Sequence, residues 1–350
     1  MTQPSNDIPD PILNAYGLGG ATVRRIPSLI NQTYVIEGSP RAPGGLVLQR
    51  LHPVFGASVN DDIWAVTEHL AGRGVLTPRL VPTLSGARWV DDGARPWRAL
   101  SFVPGLTFHR ARSAEQLRSA AELLSTFQAA LTDLPHTFLH HRPLHESARH
   151  FALLDEVLKS PAASGDREAQ TLGREILRRA ASARTDFSAL PRRICHGDPK
   201  LSNVLFREDD PERALCWIDL DTVGPGYLAY ELGDALRSWS NPAGEDTDRV
   251  EVQLPLIEAT LAGYVAGPAA APSEAELSSV IEGLETVSLE LSSRFARDVI
   301  EDRYWGWDET RFASRREHNL LRARGQLAVA VSVERQLPEL AAVVSRLAAR

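Results

Sequence analysis

A cluster of polar residues stands between apolar runs in the middle of the chain. The segment ICHGDPKLSNVLF holds Asp198, Lys200 and Asn203, and the later run LCWIDLD ends on Asp219 and Asp221. Asn and Asp oxygens are hard ligands of the kind that Mg²⁺ takes beside phosphate oxygens. A separate carboxylate can orient a hydroxyl and take its proton, while an ammonium offsets charge on a moving phosphoryl group. The combination is typical of phosphoryl transfer.

The spacing of the two carboxylates at the end of LCWI predicts how they are presented. Residues i and i+2 of an extended strand point to the same side, so we expect Asp219 and Asp221 to share one face. His196, just before the cluster, is more typical of a structural support for the loop than of a catalytic acid.

The order and spacing of these residues resemble a known superfamily. HGDPKLSN resembles the catalytic loop H-x-D-x-x-x-x-N of protein kinases and of the aminoglycoside phosphotransferase and choline kinase superfamily, and IDLD resembles its metal-binding strand end. The runs INQTYVI, LVLQRLHPVF, WRALSFVPG, IDLDTVGPG, LGDALR and NLLRARGQ are similar to the branch that contains N-acetylhexosamine 1-kinase. The resemblance implies ATP and Mg²⁺ as cofactors.

The resemblance also implies a role for each residue. Asp198 would be the catalytic base and Lys200 a contact to the γ-phosphate. Asn203 and Asp219 would be the Mg²⁺ ligands, with Asp221 in support. Asp234, in ELGD, resembles an aspartate that braces the catalytic loop from the following helix.

The resemblance implies an α+β, protein-kinase-like fold with two lobes, and the elements around the cluster follow that order. Residues 1–103 form a small mixed ATP-binding lobe of short strands and one helix with apolar spacing at 60–74, and 1–20 are rich in Pro, Asn and Gly, which indicates a loosely ordered arm. Residues 104–350 form a larger, mainly helical lobe for catalysis and substrate binding, with a β-rich insertion at 193–221. The predicted helices of this lobe begin with a capped one at Ser113 and continue at 145–158, 166–184, 227–240, 248–266, 273–300 and 313–348, the last broken near Pro338.

The ATP site departs from the protein-kinase pattern. Ser28, Asn31 and Thr33 occupy the turn between the first two strands in place of a glycine-rich loop, so small polar side chains would cover the phosphates. The third strand, LVLQR, offers Gln49 where a lysine is expected, with Arg50 beside it. Neighbouring strand residues face opposite sides, so only one of these two can reach the cleft without a bulge.

Two further features of the nucleotide site concern the acidic partner of a strand-3 cation and the contacts to adenine. The acidic partner of a strand-3 cation could be Asp61, Asp62 or Glu68. The segment WRALSFV would provide hinge backbone groups for adenine, with Ser101 and Val103 as its contacts.

The acceptor site is predicted in the last third of the chain. The candidates are Arg294, Asp298, Tyr304 and Trp305. Aromatic faces stack well on sugar rings, although large aromatic residues are also common in cores. The carboxylates at 298–309 are either a solvated helix face or an anionic pocket for a cationic substrate.

Composition narrows the class of protein. Of 350 residues, 43% are apolar and 24% charged, which is ordinary for a globular protein. A net charge of −7 argues against nucleic acid as a partner. No apolar run is as long as a membrane span, and the first residues lack the pattern of a signal peptide. We therefore expect no membrane partner. Two cysteines cannot form a disulfide framework, which favours a reducing compartment and hence a cytoplasmic protein.

The sequence therefore predicts an ATP- and Mg²⁺-dependent kinase that phosphorylates a hydroxyl of a small molecule. An N-acetylhexosamine, at its anomeric position, is the first choice of acceptor. The alternatives are an aminoglycoside phosphotransferase, a choline- or homoserine-type kinase, and a catalytically inactive nucleotide-binding protein, which Gln49 would suit.

Overall fold

The N-terminal part of the chain forms an antiparallel sheet. The computed structural model describes residues 8–26, 30–140, 145–244 and 246–349. The strands of the sheet are β1 (Thr22–Ile26), β2 (Gln32–Glu37), β3 (Leu46–Arg50), β4 (Leu80–Val81), β5 (Val90–Asp91) and β6 (Pro96–Ser101). Their order is β1-β2-β3-β6-β4, with β5 also paired to β6. Strand β6 therefore lies inside the sheet, between β3 and β4.

Two helices accompany the sheet, and one of them corrects an expectation. Helix α1 (Asp10–Tyr16) packs against the outer face of the sheet and buries Ile12 and Tyr16 beside Tyr34 and Trp97. The Tyr16 hydroxyl donates a hydrogen bond to the Trp97 carbonyl at 3.1 Å. The expectation of a loose arm is wrong for this segment, because its apolar residues recur at helical spacing despite the Pro and Gly around them. The first seven residues lie outside the described part of the chain.

Helix α2 (Val59–Gly72) follows β3, as the sequence predicts. It ends just before Gly74, whose φ of +73° is a backbone conformation that favours glycine. Its buried residues include Ile63, Val66 and Leu70, the apolar positions that indicated a helix.

The C-terminal part is mainly helical, and the sequence predicted most of its elements. Its helices are α3 (Ala114–Ala130), α4 (Ser147–Leu158), α5 (Arg167–Ala180), α6 (Leu228–Trp239), α7 (Leu254–Ala266), α8 (Glu274–Glu301), α9 (Arg315–Arg335) and α10 (Leu337–Ala348). Ser113 caps α3 by accepting a hydrogen bond from the Gln116 N–H at 3.0 Å. Helix α7 begins later than the predicted 248, because a helix accepts Pro255 only in its first turn.

A close helix crossing fixes α6 against α8. A Cβ atom at Gly233 of α6 would lie 2.6 Å from the backbone of Gly283 in α8, so glycine alone permits this approach. Since α6 follows the β-rich insertion directly, the crossing anchors that insertion to the helical core.

The β-rich insertion consists of two antiparallel pairs. Strands β7 (Arg192–Cys195) and β10 (Gly224–Tyr227) form one pair, and β8 (Val204–Phe206) and β9 (Ala214–Trp217) form the other. The described fold confirms the prediction of an α+β, kinase-like molecule with a sheet-based N-lobe and a helical C-lobe.

The connection between the lobes is pinned to the insertion. Leu106 and Phe206 exchange backbone hydrogen bonds of 2.9 and 2.8 Å. A Cβ at Gly105 would lie 2.9 Å from the Phe206 carbonyl oxygen, so the linker runs directly over β8. Both cysteines are buried free thiols, and none of the helices within the described ranges has the length and apolarity needed to cross a membrane.

Candidate active site

The predicted catalytic loop, which follows β7, folds back on itself. Lys200 Nζ donates to Asp198 Oδ2 at 2.7 Å, and Asn203 Nδ2 donates to the same oxygen at 3.2 Å and to the Asp198 carbonyl at 2.9 Å. Burial alone would raise the pKa of Asp198, but the charge and hydrogen bond of Lys200 outweigh it and hold that pKa below its usual range. Because both hydrogen bonds of the Asn203 side chain use its amide nitrogen, its Oδ1 is the atom left for a cation.

Glycine and threonine close the loop onto the segment after β9. Gly197 has a φ of +86°, and a Cβ there would lie 2.4 Å from the Thr222 carbonyl oxygen. Thr222 Oγ1 donates to the His196 carbonyl at 3.0 Å. The loop residues therefore cannot move away from this segment without breaking a tightly packed backbone contact.

His196 is a structural residue, as the sequence favoured. Its Nε2 donates to the Ile218 carbonyl at 2.9 Å, and its Nδ1 accepts from the Asp198 N–H at 3.3 Å. The ring is fully buried and packs against Trp217. Burial lowers the pKa of His196 to about 4, so the ring is neutral at pH 7 and links the two halves of the site.

Glu231 braces the catalytic loop, a role that the sequence assigned to Asp234. Its carboxylate accepts the N–H groups of His196 at 2.7 Å and Gly197 at 3.0 Å. Burial raises the pKa of Glu231 to about 7 although these hydrogen bonds act in the other direction. Asp234 pairs instead with Arg237 at 2.7 Å, one turn further along α6. The signal in the sequence that could have identified Glu231 is its position as the acidic residue in the first turn of α6.

Asp219 reaches the cleft through a turn and not along a strand. Its φ and ψ are 64° and 59°, and a 3₁₀ turn follows over Leu220–Thr222. The expectation of an extended i, i+2 pair is therefore wrong. The side chain is open to solvent. Partial desolvation by the surrounding protein, and in second place the charge of Asp221, raise the pKa of Asp219 above its usual range.

Asp221 is buried and both of its oxygens are engaged. Arg98 Nη1 lies 2.6 Å from Oδ1, and Asn31 Nδ2 donates to Oδ2 at 2.7 Å. The prediction of Asp221 as a metal ligand is not supported by this placement, because neither oxygen faces the cleft unpaired. The same contact draws Asn31 away from the predicted role of covering the phosphates.

The structure shows which of the two polar residues of β3, Gln49 or Arg50, faces the cleft. Gln49 lies on the cleft side, where Arg98 donates to its Oε1 at 2.9 and 2.7 Å. Arg50 lies on the opposite face, paired with Asp92 at 2.8 Å and placed over the Trp97 ring. The prediction of Arg50 as a nucleotide contact is therefore wrong, since the strand has no bulge here and alternation turns it away.

The turn predicted to cover the phosphates is only partly described. Thr33 lies within β2 and not in the turn, and its Oγ1 is 3.3 Å from Gln49 Nε2. Ser28 falls outside the described residues.

The hinge strand is tied to its neighbour at its end. The Ser101 N–H donates to the Arg79 carbonyl at 2.8 Å, and Ser101 Oγ accepts from the Arg79 N–H at 2.9 Å. Val103 lies beyond the end of β6, in the connection to the helical lobe. Its backbone contact to adenine stays a prediction.

Asp298 is a structural anchor, which corrects its assignment to the acceptor site. It is 1% exposed and accepts the backbone N–H groups of Arg303, Tyr304 and Trp305 at 3.0, 2.8 and 2.9 Å. Asn319 Nδ2 adds a fourth hydrogen bond at 2.9 Å. With its oxygens saturated, Asp298 holds the loop after α8 and offers nothing to a ligand.

The other acceptor candidates form an aromatic and cationic group where that loop packs against the last turns of α8. Trp305 packs on Phe295 with ring centroids 4.8 Å apart, and Arg294 lies over the Trp305 ring at 5.2 Å. Tyr304 is 59% exposed. Arg294 Nη1 also lies 3.5 Å from the buried carboxylate of Glu290. Tyr304 is thus the most accessible of the four candidates.

The donors at the cleft fit a magnesium ion. Asn203 Oδ1 and the Asp219 carboxylate are hard oxygens on adjoining segments, joined by a 2.9 Å hydrogen bond from the Ile218 N–H to the Asn203 carbonyl. Within the described chain, His, Cys, Asp and Glu side chains nowhere form a group of three that could enclose a metal alone. Mg²⁺ is usually held by one or two protein groups together with waters and substrate phosphates, which matches this sparse set.

Comparison with known proteins decides the family. Residues 22–272 match the model of the phosphotransferase enzyme family. The chain belongs to this family. The match runs from β1 past the loop that holds Asp198 and the turn that holds Asp219, and it confirms both the predicted superfamily and the prediction of a phosphotransferase. The narrower N-acetylhexosamine kinase branch stays a prediction.

Individual relatives are more distant. An uncharacterized protein of Deinococcus radiodurans is 28% identical over 211 residues, which are 57% of this chain and 56% of that protein, so the chain spans little more than half of this relative. Among solved structures, the amicoumacin kinase hAmiN in complex with AMP-PNP, Ca²⁺ and Ami has a TM-score of 0.64 at 13% identity, over 92% of each chain.

Two further structures show the same fold. An aminoglycoside phosphotransferase from Alicyclobacillus acidocaldarius has a TM-score of 0.58 at 17% identity, covering 95% of this chain and 97% of its own. Choline kinase from Cryptosporidium parvum has a TM-score of 0.59 at 12% identity, covering 93% of each. At these identities the likeness concerns the fold alone.

Proposed function

We propose that this protein is an ATP-dependent kinase that transfers the γ-phosphate to a hydroxyl of a small molecule. The observation that carries the proposal is the joint placement of Asp198, Lys200, Asn203 and Asp219 on two segments held together by His196 and Thr222. These residues supply the functions that phosphoryl transfer needs: a base, a cation and hard oxygen ligands.

The geometry suggests how the residues divide the work. The described donors to Asp198 both meet Oδ2, so Oδ1 is available to an acceptor hydroxyl. Oδ1 would take the hydroxyl proton as the hydroxyl oxygen bonds to the γ-phosphorus, while the bond from that phosphorus to the β–γ bridging oxygen breaks and ADP leaves. Lys200 would exchange its contact with Asp198 for the γ-phosphate oxygens. Asn203 and Asp219 would hold Mg²⁺, which supplies charge neutralisation on the phosphates. Catalysis then depends on positioning and electrostatic stabilisation, with no covalent enzyme intermediate.

For the acceptor we propose a neutral sugar, first an N-acetylhexosamine phosphorylated at its anomeric hydroxyl. The motif resemblance favours this class, and the exposed Tyr304 next to Trp305 suits a sugar ring. Two of the nearby carboxylates, at the end of α8 and directly after it, are paired with arginines and so do not favour a cationic ligand. Glu301 pairs with Arg297 at 3.2 Å and with Arg303 at 3.0 Å, and Asp302 pairs with Arg315 at 3.4 Å.

An ADP-release screen with Mg²⁺ tests the proposal. The acceptors are N-acetylhexosamines, neutral hexoses, aminoglycosides, choline and homoserine, and the Asp198→Asn variant is the control for contaminating kinases. We expect turnover of the acetylated sugar that varies little with salt. A polycationic acceptor would be drawn by long-range attraction, which salt screens over about 10 Å at 0.1 M. Strong aminoglycoside turnover that collapses with salt would contradict the sugar assignment, and the absence of Mg²⁺-ATP binding would contradict the kinase itself.

A further inference from the structure

The side of the sheet that faces the cleft carries a row of polar side chains. Thr33, Gln49 and Arg98 are register partners on β2, β3 and β6. Cross-strand partners point to the same face, so the three side chains are contiguous. Gln49 Nε2 donates to Thr33 Oγ1 at 3.3 Å, and Gln49 Oε1 accepts from Arg98 Nε and Nη2. A neutral amide on β3 thus orients a guanidinium on β6.

Arg98 meets its counter-charge on the other lobe. The side chain is 1% exposed, and its Nη1 lies 2.6 Å from Oδ1 of Asp221, which is 3% exposed. A charge so completely removed from water requires a partner of opposite sign. Asp221 lies in the 3₁₀ turn Leu220–Thr222, which directly follows Asp219. The ion pair therefore joins the nucleotide-binding sheet to the turn that carries the proposed metal ligand.

Helix α2 provides no partner for a cation in the cleft. Asp61 pairs with Arg88 at 2.5 Å, and Glu68 pairs with Arg79 at 2.6 Å.

Asp62, the third acidic residue considered, is also engaged. It contacts His136 Nε2 at 2.7 Å and accepts the backbone N–H groups of Leu139 and His140. In protein kinases, by contrast, a lysine on the third strand pairs with a glutamate on the helix that follows, and this pair must be in place for activity. Here Gln49 stands on the third strand where the lysine would be, and the acidic residues of α2 are all paired with residues other than a β3 side chain.

We propose that Arg98 is the positioning residue that replaces the strand-3 lysine. Through its ion pair with Asp221 it holds the 219–222 turn, and with it the Asp219 carboxylate, in the place that binds the metal and phosphates of ATP. Gln49 supports the Arg98 side chain, so the absence of a lysine at this position does not require a catalytically inactive protein. The inference rests on the proposed kinase function, and it adds to that function the residue that keeps the site assembled.

The test measures ATP binding with Mg²⁺ and in EDTA, together with melting temperature. The variants are Arg98→Met, Asp221→Asn and the double variant, and Arg88→Met is the control because Arg88 belongs to an ion pair on the outside of the same lobe. Loss of a group that orients a metal ligand typically costs about 10- to 100-fold in metal affinity or activity. We expect each single variant to weaken Mg²⁺-ATP binding by at least about tenfold, while affinity for metal-free ATP changes by less than about threefold.

The double variant separates positioning from folding. Removing both charges of a buried pair is often neutral for stability, whereas removing one is costly. We therefore expect the melting temperature of the double variant to return towards that of the wild type while Mg²⁺-ATP binding stays weak. Recovery of both stability and Mg²⁺-ATP affinity would overturn the inference, as would wild-type affinity in Arg98→Met. If the wild type itself fails to bind Mg²⁺-ATP, the kinase function fails and this inference with it.

Discussion

Two regions of the helical lobe carry carboxylates close together, and they use them in opposite ways. In the insertion, Asp219 is open to solvent and receives no hydrogen bond from the described residues, while Asp198 keeps one oxygen without a described donor. In the loop after α8, Asp298 is buried and accepts four hydrogen bonds. The residue type is the same, so what distinguishes a reactive site from a structural anchor is which oxygens are left unpaired.

The difference follows from where the polar hydrogens are. The loop after α8 turns sharply at Asp302, whose φ is 49°, and leaves three backbone N–H groups that a carboxylate can satisfy. In the insertion the side chains of His196 and Thr222 bind backbone carbonyls, and Glu231 of α6 accepts the nearby backbone N–H groups. The carboxylates of the insertion itself are therefore free to face the cleft. Substitutions in the first region should therefore affect activity, and those in the second should affect stability.

The largest effect is expected from Asp219→Ala. Loss of this proposed metal ligand should lower kcat by about 10³-fold, the upper range for removing one electrostatic stabiliser of a transition state. Thermal melting should change little, because no described residue donates a hydrogen bond to this side chain. Activity assays in chelator and across a Mg²⁺ titration check the assignment. Restoration of the variant by excess Mg²⁺, or full wild-type activity in chelator, would contradict it.

The next effect is expected from Asp198→Asn. Loss of the base should lower kcat by at least about 10²-fold, with KM for ATP close to that of the wild type. Asp209→Asn is the matched control, since Asp209 lies in the same insertion, is exposed, and pairs only with Arg207 among its described contacts. Steady-state kinetics of the wild type and the two variants test the assignment of Asp198 as the base. Near-normal turnover in Asp198→Asn would remove the base from the proposal.

In the loop after α8, Asp298→Asn should reduce stability and leave the chemistry intact. The amide nitrogen replaces an oxygen that accepts buried N–H groups, which should lower the free energy of unfolding by about 2–3 kcal/mol. Asp302→Asn is the control, because Asn tolerates a positive φ and Asp302 is exposed. Urea unfolding and kcat per folded molecule are the measurements. A fall in kcat/KM for the acceptor without loss of stability would return Asp298 to the acceptor site.

The smallest expected effect concerns pH and His196. Burial holds its pKa at about 4, so the unfolded chain binds this proton below about pH 6.5 while the folded protein does not. The stability that the protein has with a neutral His196 is therefore fully present above pH 6.5. It is lost as the pH falls towards 4, because protonation then favours the unfolded chain. Between pH 6.5 and 5 the loss should be about 2 kcal/mol. Over this pH range the free energy of unfolding of the wild type should therefore fall by about 2 kcal/mol more than that of His196→Gln. Parallel pH profiles of the two proteins would contradict a buried, neutral His196 ring.

Sequence reasoning succeeded where contacts are local. Asp198, Lys200 and Asn203 meet because they belong to one short loop, and hydrogen bonds between near neighbours close it. The ends of most helices were also predictable, since caps, Gly and Pro act within a turn of the residue that carries them. The helix α1 was missed because its turn-forming neighbours concealed a short apolar stripe.

Sequence reasoning failed where the decisive contact is remote. Residue type and spacing alone were enough to predict a catalytic loop and a metal-binding segment, and they showed directly that the third strand has no lysine. Only the tertiary structure decided that Arg98 faces Gln49 and Asp221, because register between strands and the approach of the two lobes bring together residues far apart in the chain. The one signal was an arginine among the apolar residues of WRALSFV, in a strand that proves to be interior. A charge in that position needs a partner, but which carboxylate provides it depends on the fold.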